Sequence, residues 1–243
     1  MRLDQFLVTR GDYPSRARAQ SAIRAGLVRV GGRVAKKASV TVPDGAQVEA
    51  EAEHPYVSRG GLKLAHGLAH FGVSAQGRVC LDIGSSTGGF TDVLLRAGAA
   101  RVYAVDVGRD QLHDSLRSDP RVISMESQDA RTIHAGQFNH TDARVPDLLV
   151  CDASFVSLTK ILAVPMSLTR EAVLLVKPQF EVGRENIGKG GLVRGGTDEA
   201  LARVQDWARA QGWRVEGMTD SPITGGDGNR EFVLHAVRRE KAR

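Results

Sequence analysis

Val79-Cys-Leu-Asp-Ile-Gly-Ser-Ser-Thr-Gly-Gly-Phe-Thr-Asp-Val-Leu-Leu95 is the stretch of sequence that decides the fold. It predicts a short buried strand over 79–81, a tight turn and then a helix. Asp82 would close the strand, where its carboxylate can reach a ligand that lies across the strand ends. Three residues without a Cβ would let the backbone turn sharply and approach that ligand: Gly84, Gly88 and Gly89.

A second apolar run, Arg101-Val-Tyr-Ala-Val-Asp106, predicts another strand that ends in an acid. Its distance from the glycine turn suits a carboxylate that accepts hydrogen bonds from ribose hydroxyls in a nucleoside-binding βαβ unit. The glycines are spaced Gly-x-x-x-Gly-Gly, whereas dinucleotide binders have Gly-x-Gly-x-x-Gly. This spacing favours a cofactor with a nucleoside and no pyrophosphate, such as S-adenosylmethionine.

Beyond these two strands the pattern alternates between helix and strand, which predicts a Rossmann-like α/β domain with a mostly parallel sheet. Helices are predicted over 110–118 and 197–211. The last predicted strand, 231–237, is expected to pair antiparallel with its neighbour. The glycine-rich segment 183–196 is predicted to form a mobile lid or a substrate loop.

Charge is unevenly distributed along the 243 residues. The formal net charge is +5, and residues 1–50 contain nine Lys and Arg against four Asp and Glu, so the whole excess lies in this segment. Such a distribution predicts a polyanion-binding module joined to a neutral body.

Three classes of protein are disfavoured by composition and pattern. No apolar run is long enough to cross a bilayer, and the N-terminus lacks the pattern of a signal peptide. Cys80 and Cys151 fall in predicted buried strands, as expected for reduced thiols in a cytoplasmic protein. The sequence has no Cys/His cluster with metal-ligand spacing, so we expect no metal.

Residues 1–53 are predicted to form a small α+β domain, with two short helices, a hairpin at Gly31-Gly32 and short strands at 40–42 and 47–49. Arg2-Leu-Asp-x-x-Leu, followed by Ser15-Arg-x-x-Ala-x-x-x-Ile-x-x-Gly-x-Val-x-Val-x-Gly, resembles the S4 RNA-binding domain. Taken singly, each arginine could equally belong to a solvated helix face. The resemblance implies contacts with structured RNA, made through phosphate and shape, by Arg2, Arg16, Arg18, Arg24 and Arg29.

In a parallel sheet, sites form at the carboxyl ends of the strands. Asp82, Asp106, Asp152 and Lys177 each take the last position of a predicted strand. Glu231 opens the antiparallel last strand, so its start lies on the same edge. Acids and a lysine are therefore expected on one rim, although Asp152 alone could cap a helix and Lys177 or Glu231 could form a surface ion pair.

Five ordered motifs cover most of the remaining chain. They are Val57-Ser-Arg-Gly-Gly-Leu-Lys-Leu64, Leu81-Asp-Ile-Gly-Ser-Ser-Thr-Gly-Gly-Phe-Thr-Asp92, Cys151-Asp-Ala-Ser-Phe-Val-Ser-Leu158, Val176-Lys-Pro-Gln-Phe-Glu181 and Gly226-Asp-Gly-Asn-Arg-Glu-Phe232. Together they resemble the TlyA family, which joins an S4 domain to an FtsJ-like methyltransferase domain. The resemblance implies S-adenosylmethionine-dependent methylation of the ribose 2′-oxygen of cytidines in ribosomal RNA. It also implies a linker over 54–61 and a methyltransferase domain over 62–243.

The resemblance further implies residue roles. An FtsJ-like Lys-Asp-Lys-Glu tetrad around the reacting hydroxyl carries over to Lys63, Asp152, Lys177 and Glu231. Judged from its helix alone, Lys63 lies off the apolar stripe and would be solvated. The residues implied to hold S-adenosylmethionine are Asp82, Gly84, Ser85, Ser86, Thr87, Gly88, Gly89, Phe90, Asp106 and Asp129.

A ribose hydroxyl is a poor nucleophile, so the site must align it with the methyl group and take or stabilise its proton. We expect Lys177 to do one or the other, with Asp152 and Glu231 orienting the two lysines. Ala153 departs from the larger residue that the family pattern leads us to expect. The chain also lacks the extra terminal residues of longer members, which implies a short form that acts on large-subunit RNA.

Three other functions compete with this interpretation. Some family members are called haemolysins, but no strongly amphipathic basic helix with aromatic anchors supports membrane activity. A non-catalytic RNA-binding protein would not need Asp152, Lys177 and Glu231. A pseudouridine synthase, which often follows an S4 domain, would not need the glycine-rich cofactor turn.

Overall fold

The structure, a computed structural model, describes residues 1–13, 15–51, 54–138 and 145–239. The chain divides into two compact units, Met1–Pro55 and Tyr56–Arg243. The end predicted for the first domain, residue 53, lies outside the described residues. The segment 54–61, predicted as a linker, is divided between the two units.

The first unit is a small α+β fold. Its elements are α1 (Leu3–Thr9), α2 (Arg16–Arg24), β1 (Val28–Val30), β2 (Arg33–Val34) and β3 (Val48–Ala50). The strands are ordered β2-β1-β3 and pair antiparallel, and Ser15 caps α2 by accepting a hydrogen bond from the Arg18 amide. The strand predicted at 40–42 is wrong, because this segment forms one isolated bridge, between Thr41 and Arg2.

Within the described residues, the second unit contains one seven-stranded sheet. Its strands are β4 (Val79–Ile83), β5 (Arg101–Asp106), β6 (Val122–Glu126), β7 (Leu148–Cys151), β8 (Glu171–Val176), β9 (Trp213–Asp220) and β10 (Phe232–Arg238). The order is β6-β5-β4-β7-β8-β10-β9, with β4 to β8 parallel and β10 antiparallel to both of its neighbours. The predicted Rossmann-like class with an antiparallel last strand is confirmed.

Helices pack on both faces of this sheet, over two separate apolar clusters. They are α3 (Gly60–Phe71), α4 (Gly89–Arg96), α5 (Asp114–Arg117), α6 (Leu158–Ile161), α7 (Ala163–Ser167), α8 (Pro178–Glu181) and α9 (Thr197–Ala210). The helix predicted over 110–118 is wrong in length. Asp110 has a positive φ of 54°, and the Glu126 carboxylate accepts hydrogen bonds from the amides of Gln111 and Leu112, so the chain is a loop until α5 begins.

In the turn between β4 and α4, the glycines lie close either to backbone atoms or to side chains of neighbouring segments. Gly84 has φ +77°, and a Cβ there would lie 2.9 Å from the backbone of Ala153, in the loop that leaves β7. A Cβ on Gly88 or Gly89 would instead lie 2.2 Å from Leu116 or 2.1 Å from the Ser58 hydroxyl. Gly84 therefore shapes the strand ends, whereas Gly88 and Gly89 permit packing within the protein.

Gly67 allows helix α3 to pack closely on the sheet. A Cβ at Gly67 would lie 2.6 Å from a methyl group of Val233 on β10 and 3.3 Å from one of Val173 on β8. Lys63 is one helical turn earlier on the same face. The close contact at Gly67 thus directs Lys63 towards the carboxyl edge of the sheet.

The opposite edge of the sheet is held by one arginine. Arg78, directly before β4, forms ion pairs with Asp147, directly before β7, and with Glu171, which opens β8. His235 on β10 also pairs with Glu171, at 2.8 Å. The His235 hydrogen bond, together with Arg78, lowers the pKa of Glu171 from 4.5 to about 2.

We expect Gly84→Ala to destabilise the second unit more than Gly212→Ala does. Both glycines have positive φ, which costs any other residue about 1–2 kcal/mol, but a Cβ on Gly212 meets no described atom within 4 Å. The clash with the Ala153 backbone should add about 1–3 kcal/mol, measured by urea unfolding. Equal losses of unfolding free energy in the two variants would contradict the close approach.

We expect Glu171→Gln to lower the unfolding free energy by about 1–3 kcal/mol at pH 7, with a deficit that narrows as the pH falls from about 4.5 towards 2. A carboxyl whose pKa is lower in the folded state stabilises the fold above its unfolded pKa, and this contribution is lost on acidification. Exposed Glu185→Gln is the control, with little effect at any pH. A Glu171→Gln deficit that does not change with pH would show that the pairing does not set the pKa.

Candidate active site

Lys177 and Asp152 form an ion pair at the carboxyl edge of the sheet. Lys177 directly follows β8 and is 7% exposed, and Asp152 directly follows β7. The Lys177 Nζ lies 2.7 Å from Asp152 Oδ1. It also donates hydrogen bonds to the Ser154 hydroxyl at 2.7 Å and to the Asp152 carbonyl oxygen at 3.3 Å. The charge of the buried Lys177 ammonium is thereby neutralised by Asp152. Two of its N–H groups are directed to the Ser154 hydroxyl and the Asp152 carbonyl oxygen.

Lys63 and Glu231 form a second ion pair. Lys63 is 8% exposed and Glu231 is 3% exposed, so both charges are nearly removed from water. Lys63 is therefore buried and paired, contrary to what the pattern of its helix alone predicts. Truncating either partner would leave an uncompensated buried charge, which is far costlier than losing an exposed ion pair.

Two contacts bring these pairs to the same edge. Glu231 directly precedes Phe232, which pairs across β10 and β8 with Val176, the residue before Lys177. At the start of α3, a Cβ on Gly60 would lie 3.1 Å from Asp152 Oδ2. The four residues predicted as a tetrad thus converge from α3, β7, β8 and β10.

A cleft of about 580 Å³ opens along the same strand ends. Four of the predicted cofactor residues line it: Gly84, Ser86, Asp106 and Asp129. Asp152 and Ser154 line it as well, so the cleft reaches the Lys177 ion pair. Its volume lies in the range of small-molecule sites.

Two of the three acids that line this cleft, Asp106 and Asp129, are held by different partners. Asp106, the last residue of β5, accepts hydrogen bonds from the amides of Ser86 at 2.8 Å and Gly108 at 2.7 Å. Asp129 accepts one from the Arg131 amide at 2.8 Å and pairs with its guanidinium, which lowers the pKa of Asp129 to about 2. Each carboxylate oxygen has two lone pairs, so Asp106 can still accept from a ligand, whereas the amide and guanidinium of Arg131 together make two contacts to each oxygen of Asp129.

The predicted placement of Asp82 at the strand end is wrong. The strand β4 continues to Ile83, so Asp82 lies within it, fully buried, and accepts a hydrogen bond from the Thr91 hydroxyl at 2.7 Å. Burial raises the pKa of Asp82 to about 7. Among the other predicted cofactor residues, five are absent from the described lining of the cleft: Ser85, Thr87, Gly88, Gly89 and Phe90.

The loop after β7 contains two exposed residues that the sequence did not single out. Ser154 contacts Lys177, and Phe155 is 91% exposed with φ +66°. A positive φ is rare and strained for a bulky residue, and the Phe155 ring lies 5.3 Å from that of Phe180. Ser154 and Phe155 directly follow Asp152 in a loop at a strand end. That position is the sequence signal that could have indicated both residues.

The glycine-rich segment 183–196 is tied to the turn before β10. The Asn229 amide donates to the Gly191 carbonyl at 2.8 Å, and its carbonyl oxygen accepts from the Val193 amide at 2.8 Å. Asn229 is 5% exposed and lies two residues before Glu231. The segment is therefore anchored beside the tetrad, and its predicted role as a lid or substrate loop stays a prediction.

In the first unit, Asp4 organises two of the five predicted RNA-binding arginines. Its fully buried carboxylate accepts hydrogen bonds from Arg2 at 3.0 Å, Arg16 at 3.0 Å and Gln20 at 2.8 Å. The bond from Arg2 contributes most to lowering the pKa of Asp4 well below its usual range. Arg2, Arg16, Arg24 and Arg29 are exposed, and Arg18 is half-buried.

Comparison with known protein families agrees with the division of the chain into two compact units, Met1–Pro55 and Tyr56–Arg243. Residues 56–238 match the FtsJ-like methyltransferase family, and residues 1–48 match the S4 domain. No helix among the described residues has the length and apolarity needed to span a membrane.

Three relatives illustrate the range of names. A 16S/23S rRNA (cytidine-2′-O)-methyltransferase TlyA from Mycobacterium tuberculosis is 44% identical, over 96% of this chain and 88% of the relative. A 23S rRNA (cytidine-2′-O)-methyltransferase TlyA from Campylobacter jejuni is 37% identical, over 82% and 77%. A solved structure from Streptococcus thermophilus, named a hemolysin, is 40% identical with a TM-score of 0.76, over 99% of this chain and 89% of that one. The chain belongs to the FtsJ-like methyltransferase family and has an S4 domain at its N-terminal end.

Proposed function

We propose that this protein methylates the ribose 2′-oxygen of a cytidine in ribosomal RNA, with S-adenosylmethionine as the methyl donor and large-subunit RNA as the substrate. The observation that carries the proposal is the ion pair of Lys177 with Asp152 at the edge of a cleft of small-molecule size, with the ion pair of Lys63 and Glu231 at the same edge of the sheet. The names of the Mycobacterium and Campylobacter relatives support the cytidine ribose and the ribosomal RNA, and the Campylobacter name supports the large subunit.

The cleft fits the proposed cofactor. Asp106 lies at the end of β5, where an acid binds ribose hydroxyls, and Gly84 lines the same cleft without a side chain that could obstruct a ligand. Asp106 would hold the adenosine, and Asp129 would join it by releasing one contact to the exposed Arg131 side chain. Gly84 and Ser86 would border the remainder of the cofactor. When bound, the cofactor supplies an electrophilic methyl group on a sulfonium.

Features outside the tetrad suit an RNA substrate. The first unit carries the excess positive charge, and Asp4 holds Arg2 and Arg16 in fixed orientations, which lowers the entropy cost of binding phosphate. Phe155 offers an exposed aromatic face beside Asp152, and unstacked bases commonly bind such faces. The target nucleotide would thus be held on both its base and its ribose.

The tetrad would act on the 2′-hydroxyl. Bound S-adenosylmethionine would supply the methyl group and keep the electron pair of the carbon–sulfur bond, and the 2′-hydroxyl proton would pass to Lys177 or, where Lys177 stays charged, to water. Lys177 would stabilise the developing negative charge on the 2′-oxygen or accept its proton. Asp152 orients Lys177, and Glu231 holds Lys63 against the same edge.

We expect Lys177→Ala to lower the rate of methyl transfer about 10²- to 10⁴-fold, because general-base or electrostatic groups contribute at this level. The assay follows labelled methyl transfer to ribosomal RNA and maps the modified ribose. Arg209→Ala, which removes an exposed positive charge on α9, should leave the rate nearly unchanged.

The same assay distinguishes the two roles of Lys177 and tests the rival function. Lys177→Arg with a near-normal rate and an unchanged pH profile would exclude proton acceptance. No transfer to large-subunit RNA by the parent protein would contradict the proposal, and leakage of vesicles by purified protein would favour the hemolysin name instead.

A further inference from the structure

Lys177 makes three contacts of unequal length, and the difference bears on how it acts. An ammonium group has three N–H donors. Two of the contacts are hydrogen bonds, to the Ser154 hydroxyl at 2.7 Å and to the Asp152 carbonyl oxygen at 3.3 Å, whereas Asp152 Oδ1 lies 2.7 Å away as an ion-pair partner that accepts no hydrogen bond. The bond to Ser154 is the shorter of the two, so this hydroxyl contributes most to fixing the rotation of the ammonium about its carbon–nitrogen bond. The third N–H has no hydrogen-bond acceptor among the described residues and is the one that can be directed to a substrate.

Ser154 is suited to fixing the Lys177 ammonium because a substrate can also reach it. It is exposed and lines the cleft that Asp152 also lines. A hydroxyl that accepts a hydrogen bond from an ammonium keeps its own proton for another acceptor. Ser154 therefore neutralises no charge and leaves the ion pair between Lys177 and Asp152 intact, while it removes a degree of freedom from the lysine.

The backbone around Ser154 is anchored independently. The Glu181 carboxylate, at the end of α8, accepts hydrogen bonds from the Ser157 hydroxyl at 2.6 Å and the Leu158 amide at 2.8 Å. The loop after β7 is thus tied to the helix that follows Lys177. Replacing the Ser154 hydroxyl removes a contact to Lys177 and leaves this anchor in place.

We propose that Ser154 is a positioning residue for methyl transfer: its hydroxyl fixes the Lys177 ammonium so that the remaining proton points to the ribose 2′-oxygen. The proposal rests on the proposed function, since it assumes that Lys177 acts on that oxygen. The proposal places Ser154 beside the four residues of the tetrad, in a role that requires a hydroxyl group and no charge.

The test compares Ser154→Ala with Ser154→Thr, which keeps the hydroxyl, and with Ser167→Ala, which removes an exposed hydroxyl on α7 outside the lining of the cleft. We expect Ser154→Ala to lower kcat for ribosomal RNA about 10- to 100-fold, the range for a hydrogen bond to a charged group. The KM for RNA, the Kd for S-adenosylmethionine and the Tm should stay near the parent values, because an exposed substitution rarely alters stability. Ser154→Thr should recover most of kcat.

A second measurement does not depend on activity. The ¹⁵N-labelled ammonium signal of Lys177, assigned by its loss in Lys177→Arg, should report a rotationally restricted group in the parent and a freer one in Ser154→Ala. An unchanged signal, a kcat within twofold of the parent, or a loss that Ser154→Thr does not recover would each overturn the role of Ser154. A parent protein that transfers no methyl group to ribosomal RNA would overturn the proposed function, and the ammonium signal would still decide whether Ser154 holds Lys177.

Discussion

The second unit depends on the need to neutralise buried charge at the carboxyl edge of its sheet. Lys63, Lys177 and Glu231 are each less than a tenth exposed, and a lone buried ion is unstable by several kcal/mol. Each must therefore meet a partner that comes from elsewhere in the chain. Lys63 and Glu231 are separated by 168 residues, so the ion pair requires α3, β8 and β10 to pack in one arrangement.

Packing away from the site makes that arrangement possible. Gly67 allows α3 to approach β8 and β10, which brings Lys63 within reach of Glu231. At the other edge, Arg78 ties together the chain segments that begin β4, β7 and β8. These strands are thus fixed at both ends, and the four charged groups are held in two ion pairs at the carboxyl edge.

Much of this could be predicted from the sequence, because strand ends and apolar runs are local signals. The positions of Asp106, Asp152 and Lys177 at one edge follow from strands that finish where the apolar run finishes. Asp82 was misplaced because β4 continues to Ile83, so Asp82 lies within the strand and its side chain is fully buried.

Other features depend on contacts between distant segments and have no local signal. The burial of Lys63 requires Glu231 and the close packing at Gly67, and its own helix pattern indicates the opposite. The positive φ of Phe155 conflicts with the preference of that residue, and is kept by the surrounding loop. The roles of Gly88 and Gly89 in packing against Leu116 and Ser58 were likewise set by tertiary contacts.

The most direct measurement of the central claim is a double-mutant cycle on the buried pair, with unfolding free energy and methyl transfer measured on the same samples. Lys63→Met or Glu231→Leu alone should lower the unfolding free energy by about 3–5 kcal/mol, because each leaves a buried charge without its partner. The double variant should recover most of that stability and still transfer methyl groups at a small fraction of the parent rate. Recovery of both stability and methyl transfer would contradict the account, since the pair would then serve the fold alone.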